Sequence, residues 1–162
     1  MTISVGDRLP DAQLLRIGDD GPEAVSLRAL TEGRRVAIFG VPGAFTPTCS
    51  SAHMPSFVRT ADDFREKGVE EIVCIAVNDP HVLKAWSEQT GADAAGIKVL
   101  GDSDGAFTAA IGMAFDAPPA GFHGRSKRYS MLVEDGTVVA FNPESSRSSC
   151  EISGGEALLE TA

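Results

Sequence analysis

Two short apolar runs stand out against an otherwise mixed chain, Arg35-Val-Ala-Ile-Phe-Gly40 and Glu71-Ile-Val-Cys-Ile-Ala-Val77. Both are rich in β-branched residues and closed by Gly40 or by Asn78-Asp79-Pro80, so each predicts a buried strand. Between them Thr46-Pro47 predicts a helix start, with Thr46 as N-cap and Pro47 at the first helical position. That helix is expected to run to Lys67 and stop at Gly68. Pro55 falls inside it and should kink it, because proline cannot donate to the carbonyl of Ser51. Asp79-Pro80 predicts a second helix through Gln89, carrying Val82, Leu83 and Trp86 at helical spacing. Beyond it the pattern predicts a short strand over residues 97–100 and a short helix over 105–111. Strands over 128–133 and 137–141 are joined by the hairpin turn Glu134-Asp-Gly136. A last helix is expected over 154–160. Residues 112–127 read as one long connection, and loops of that length inside compact domains are usually functional.

Strands alternating with helices, then a hairpin and a helix, predict an α/β fold. The order matches a thioredoxin-like three-layer α/β/α sandwich with a central mixed sheet. At 162 residues the chain is expected to form a single domain. Its 14 Lys and Arg against 23 Asp and Glu leave a net charge of −9. That balance argues against nucleic acid and anionic membranes as partners, since both need clustered positive charge. The longest apolar run, from Ile72 to Val77, is far short of the ~20 residues a membrane-spanning helix needs. No basic-then-apolar segment opens the chain, so no signal peptide is expected. Cys49, Cys74 and Cys150 are odd in number with no close pair, which reads as free thiols in a reducing, cytoplasmic compartment.

No cofactor or metal is expected. His53, His81 and His123 are dispersed without ligand spacing. Asp102-Ser-Asp104-Gly105 lacks the closing glutamate of a calcium loop, with Met113 in its place. No glycine-rich phosphate loop is present.

Chemistry gathers at Pro42-Gly-Ala-Phe-Thr46-Pro-Thr-Cys49. Cys49 falls in the first helical turn, where free N–H groups and the helix dipole favour a thiolate, the reactive form. A helix end supplies only ~0.3–2 kcal/mol. Moving a thiol from ~8.5 to ~6 needs about 3.4 kcal/mol, so another positive group must help. Arg125 or Arg128, at the end of the long connection, are the candidates. Ionisation is also an incomplete mechanism, because nucleophilicity falls as the thiol pKa falls. The remaining acceleration calls for donors on the leaving oxygen. The Thr46 hydroxyl, the Cys49 backbone N–H and an arginine are suitable, with Pro42 as a dry wall lacking an N–H.

The motif Pro42-x-x-x-Thr46-x-x-Cys49 resembles the peroxiredoxin active-site motif. The run from Val41 to Phe57 is similar to the type II, peroxiredoxin 5-like group of the redoxin family. So are Ile75-Ala-Val-Asn-Asp-Pro-His-Val-Leu-Lys-Ala-Trp86 and Arg125-Ser-Lys-Arg128-Tyr-Ser-Met-Leu-Val-Glu-Asp-Gly136. The resemblance spans nearly the whole chain. It implies a thioredoxin-fold thiol peroxidase that attacks hydrogen peroxide and alkyl hydroperoxides and cycles through a cysteine sulfenic acid. The family's peroxidatic cysteine falls on Cys49, its threonine on Thr46, its proline on Pro42 and its sulfur-facing arginine on Arg128. The resemblance also suggests a homodimer with residues near Phe45 at the contact.

Three further residues carry competing readings. Cys150 lies where some type II enzymes place a resolving cysteine, though in a shorter loop. Reduction by glutaredoxin, glutathione or thioredoxin is the preferred expectation over a Cys49–Cys150 disulfide. Cys74, mid-strand, reads as a buried inert thiol. His53, four residues after Cys49, invites a Cys–His pair but has no identifiable Asn or Asp partner, and the resemblance implies a supporting residue near the kink. Two other functions compete with the peroxidase. One is a disulfide oxidoreductase, for which the second cysteine of a Cys-x-x-Cys pair is missing. The other is a non-enzymatic redox-signalling or holdase module on the same frame.

Overall fold

The computed structural model describes residues 2–146 and 149–162. Its strands are β1 (Gln13–Gly18), β2 (Gly21–Ser26), β3 (Arg35–Val41), β4 (Glu71–Ala76), β5 (Lys98–Gly101), β6 (Ala114–Ala117), β7 (Phe122–Ser126), β8 (Tyr129–Glu134) and β9 (Thr137–Pro143). The α-helices are α1 (Leu27–Thr31), α2 (Met54–Glu66), α3 (Pro80–Thr90), α4 (Ala106–Ala110) and α5 (Gly155–Leu159). Seven strands form one sheet in the order β2-β1-β5-β4-β3-β8-β9. The central β3, β4 and β5 are parallel and the outer neighbours antiparallel, so the sheet is mixed, as expected.

Successive side chains of a strand point to opposite faces, and here both faces are covered. Ala37, Phe39, Val41, Ile72, Cys74 and Ala76 join one core with residues of α2, α3 and α5. Val36, Ile38, Val73 and Ile75 join another with Leu27 and Leu30 of α1 and Phe107 of α4. Burial on both sides explains why β3 and β4 read as unbroken apolar runs rather than alternating ones. Cys49 belongs to the first core.

Three departures from the sequence expectations matter. The helix after β3 does not simply kink at Pro55. Cys49–His53 forms a π-helical turn, closed by the Met54 N–H on the Cys49 carbonyl, and α2 follows. The hydrogen-bond register changes where the chain reaches the one residue that has no N–H to donate. At the other end α2 stops as expected: Gly68 adopts φ 87, its N–H bonds the Arg65 carbonyl, and the Val69 N–H bonds that of Phe64.

The second departure is in residues 112–127, which are not a structureless connection. Here β6 and β7 pair antiparallel around a 3₁₀ turn at Pro118–Ala120, and Phe115 packs edge-on to Phe122 with centroids 6.0 Å apart. Pro118-Pro119 and a bulge between Phe115 and Ala117 break the alternation that would have revealed the hairpin. The third is an N-terminal hairpin, β1–β2, around Asp19-Asp20. Its signal was the turn chemistry of Gly18-Asp-Asp-Gly21 between two strand-length segments.

Candidate active site

The loop leaving β3 is held on both sides. The Ala44 N–H donates to Asn78 Oδ1 at 3.0 Å, and Arg125 Nη1 donates to the Pro42 carbonyl at 3.2 Å. A Cβ at Gly43 would sit 2.6 Å from Arg125 Nη1, so only glycine lets the guanidinium approach this closely. Arg125 also lies over the Phe122 ring, 5.2 Å from its centroid. It organises the loop rather than contacting the sulfur. Phe45 takes the left-handed conformation, φ 64, and is 48% exposed.

Pro42, Thr46 and Arg128 line one open cleft of about 470 Å³ together with Phe45, Pro47, Thr48, Ala120 and Phe122. Cys49 is fully buried, and Arg128 Nη2 donates to its Sγ at 3.2 Å. Arg128 precedes β8 and shares the parity of Leu132, which faces the same core as Cys49. The Thr46 hydroxyl donates to the Gly43 carbonyl at 2.7 Å, while the Thr46 carbonyl accepts from the Ser50 N–H at 3.0 Å. The expected side-chain cap is therefore replaced by a loop contact. With its proton directed at Gly43, the Thr46 oxygen keeps lone pairs with which it can accept a hydrogen bond. Trp86 Nε1–H donates to Ser50 Oγ at 2.9 Å, anchoring the π turn to α3.

His53 is buried beside this pair. Its Nδ1 lies 3.0 Å from Arg128 Nη1 and its Nε2 lies 2.9 Å from the Ser153 carbonyl oxygen. Burial, with the Arg128 charge in the same sense, lowers its pKa to about 3 against the partial opposition of the Ser153 bond. The ring is thus neutral at physiological pH. In the unfolded chain it takes up a proton near pH 6.5, whereas the folded protein takes it up only near 3. Stability carried by this group is complete above pH 6.5 and declines as pH falls towards 3. Urea unfolding at pH 4, 5 and 6 is expected to show a slope of up to about 1.4 kcal/mol per pH unit from this proton. Replacing His53 by leucine should remove that increment, and an unchanged slope would refute the assignment.

Cys74 is fully buried in the core that holds Cys49, and burial pushes its thiol well above the ordinary range. Cys150 is half-buried, and burial raises its thiol too. The segment around it is pinned by one carboxylate oxygen. Glu144 Oε2 accepts from the N–H groups of Glu151, Ile152 and Ser153 at 2.9, 3.0 and 2.8 Å, and from Ser153 Oγ at 2.6 Å. Burial opposes ionisation of Glu144, but these bonds prevail and hold its carboxyl below the usual range. Of the polar stretch 144–149, residues 147 and 148 lie outside the described residues. All three cysteines are free thiols. Neither the Glu144 clamp nor the bond from Arg128 to His53 was anticipated from the sequence. The spacing of His53 from Cys49 was a partial signal for the second, and Glu144 offered none.

Fold and site together define a thioredoxin-fold protein built around a buried cysteine held by an arginine. The chain belongs to the Redoxin family, which it matches over residues 4–159. It is 40% identical to Peroxiredoxin-2C of Oryza sativa subsp. japonica over 98% of this chain and 97% of that protein. It is 43% identical to the chloroplastic Peroxiredoxin-2E-2 of the same organism over 88% of this chain, and spans 65% of that longer protein. The structure of reduced Prx3 in complex with H2O2 from Vibrio vulnificus superposes with a TM-score of 0.91 at 40% identity, covering 99% of both chains. The chain is a thiol-dependent peroxidase of the peroxiredoxin class, and nothing in these likenesses favours the non-enzymatic alternative.

Proposed function

We propose that Cys49 is the peroxidatic thiol, acting on hydrogen peroxide and alkyl hydroperoxides that enter by the Pro42–Thr46–Phe122 cleft. One observation carries this reading: a buried arginine, Arg128, donates to the Cys49 sulfur at 3.2 Å and also lines the cleft. The Cys49 thiolate attacks the terminal oxygen of R–O–O–H. An S–O bond forms, the O–O bond breaks, and the departing alkoxide takes a proton to leave as alcohol, or as water from hydrogen peroxide. Arg128 stabilises the charge on sulfur and leaving oxygen, Thr46 accepts from the peroxide O–H, and Pro42 walls the site.

The resulting sulfenic acid is reduced by an external thiol: glutaredoxin, glutathione or thioredoxin. The reductant's sulfur attacks, water leaves as a mixed disulfide forms, and a second thiol releases Cys49. The Glu144 clamp and the raised Cys150 thiol support an external reductant over a Cys49–Cys150 bridge. Left-handed, exposed Phe45 supports a homodimer contact at the cleft rim, and three free thiols support a reducing, cytoplasmic setting.

One equivalent of hydrogen peroxide, followed by trapping and peptide mass mapping, tests both parts. The expected product carries sulfenic acid on Cys49 with Cys74 and Cys150 still free. Oxidation starting at another cysteine would overturn the assignment of Cys49. A stoichiometric Cys49–Cys150 disulfide within one subunit would overturn external reduction alone.

A further inference from the structure

Asn78 follows the apolar run that becomes β4 and precedes Asp79-Pro80 at the start of α3. Its backbone is held by its surroundings. The Asn78 carbonyl accepts from Ser103 Oγ at 2.8 Å, and a Cβ at Gly101 would stand 2.8 Å from the same oxygen. The next residue, Asp79, caps α3 through the N–H groups of His81 and Val82 at 2.8 and 3.0 Å. From this base the Asn78 side chain reaches the loop after β3, where Oδ1 accepts from the Ala44 N–H at 3.0 Å. An N–H needs an acceptor, so the amide oxygen and not the amide nitrogen faces it.

That contact reaches further than one amide. The Ala44 N–H and the Gly43 carbonyl belong to one planar peptide group, and a trans peptide sets the two on opposite edges. Among the described residues no peptide is cis. Holding the N–H on Asn78 therefore points the Gly43 carbonyl the other way, and there the Thr46 hydroxyl donates to it at 2.7 Å. A carbonyl only accepts, so the Thr46 proton is drawn to the loop and its lone pairs are left for another donor. Turned over, the same plane would set the Ala44 N–H against Thr46 Oγ. The hydroxyl would then accept from the loop and aim its proton outward. We propose that Asn78 is a positioning residue for peroxide reduction, fixing the peptide between Gly43 and Ala44 so that Thr46 meets the peroxide O–H as an acceptor. The proposal rests on the reading of Cys49 as the reacting thiol and Thr46 as the acceptor beside it.

Stopped-flow oxidation of the reduced full-length protein by hydrogen peroxide tests this, beside alkylation of Cys49 by iodoacetamide. Both reactions consume the thiolate, but iodoacetamide brings no O–H for Thr46 to accept. Asn78→Leu keeps the size of the side chain and removes its acceptor. It is expected to slow the peroxide reaction on the order of tenfold, the worth of one hydrogen bond in a transition state, and to change alkylation by no more than about twofold. Asn78→Asp retains an acceptor for the Ala44 N–H. It should recover most of the peroxide rate, measured on the alkaline plateau where the thiol is ionised in every variant. In a Thr46→Val background the leucine change should cost nothing further, since the hydroxyl it positions is gone.

A wild-type peroxide rate in Asn78→Leu, equal losses in both backgrounds, an equal fall in alkylation or an unrescued Asn78→Asp would each overturn the proposal. Asn78→Ala removes the acceptor without adding bulk, and decides by the same comparisons should the leucine variant fail to fold. A full peroxide rate in Thr46→Val alone would overturn the reading of Thr46 beneath it, and the proposal with it.

Discussion

Cys49→Ser is expected to reduce peroxide turnover to that of buffer while the folded protein survives almost unchanged. A hydroxyl lacks the nucleophilicity of a thiolate and has no accessible ionised form near pH 7. Serine is nonetheless a good structural replacement here. Arg128 Nη2, which donates to Sγ at 3.2 Å, can donate to Oγ, so no buried donor is orphaned. The stability change should stay within about 1–2 kcal/mol, the ordinary range for point substitutions. Coupled peroxidase turnover and urea unfolding measured on one preparation check both halves. Residual turnover near the wild-type rate would transfer the chemistry to Cys74 or Cys150. Cys74→Ser makes the useful contrast. It lies mid-strand in β4 with its thiol raised by burial, so its cost should fall on stability and leave the oxidation rate nearly intact.

The parts of this site that were legible in the sequence were those written locally. Thr46-Pro47 and Gly68 bounded the helical segment, the apolar runs gave β3 and β4, and the place of Cys49 at a helix start marked it as the candidate thiol. What was illegible depends on segments meeting. Arg128 is 79 residues from Cys49 in sequence; the charge argument left it level with Arg125, and only the motif resemblance chose between them. His53, Arg128 and Ser153 converge from three separate stretches, so no local pattern could show the imidazole between a guanidinium and a carbonyl. The Thr46 hydroxyl illustrates a finer limit. Its residue type fixes that it can donate or accept, but only the Gly43 carbonyl at 2.7 Å decides which. The π turn likewise follows from how the chain accommodates Pro55, for which the sequence rule offered only a kink.

Arg128→Met is expected to slow oxidation of Cys49 by about 10²–10³-fold, the usual cost of removing one preorganised donor from developing charge. The size of the loss separates two roles. An ordinary thiol is already a few per cent ionised at pH 7, so complete ionisation offers roughly thirtyfold and no more. If Arg128 served only to favour the thiolate, the variant would regain the full rate once the pH was high enough to ionise the thiol unaided. If it also stabilises the leaving oxygen, a deficit persists on that alkaline plateau. The geometry favours the second outcome, because Arg128 both touches the sulfur and lines the cleft proposed for peroxide entry. Arg125→Met provides the control. Its guanidinium bonds the Pro42 carbonyl and stacks on Phe122, so its loss should loosen the loop and cost less in rate. Second-order rates with hydrogen peroxide from pH 5 to 10, for both variants and wild type, give the answer. A plateau in Arg128→Met equal to that of wild type would confine the arginine to ionising the thiol.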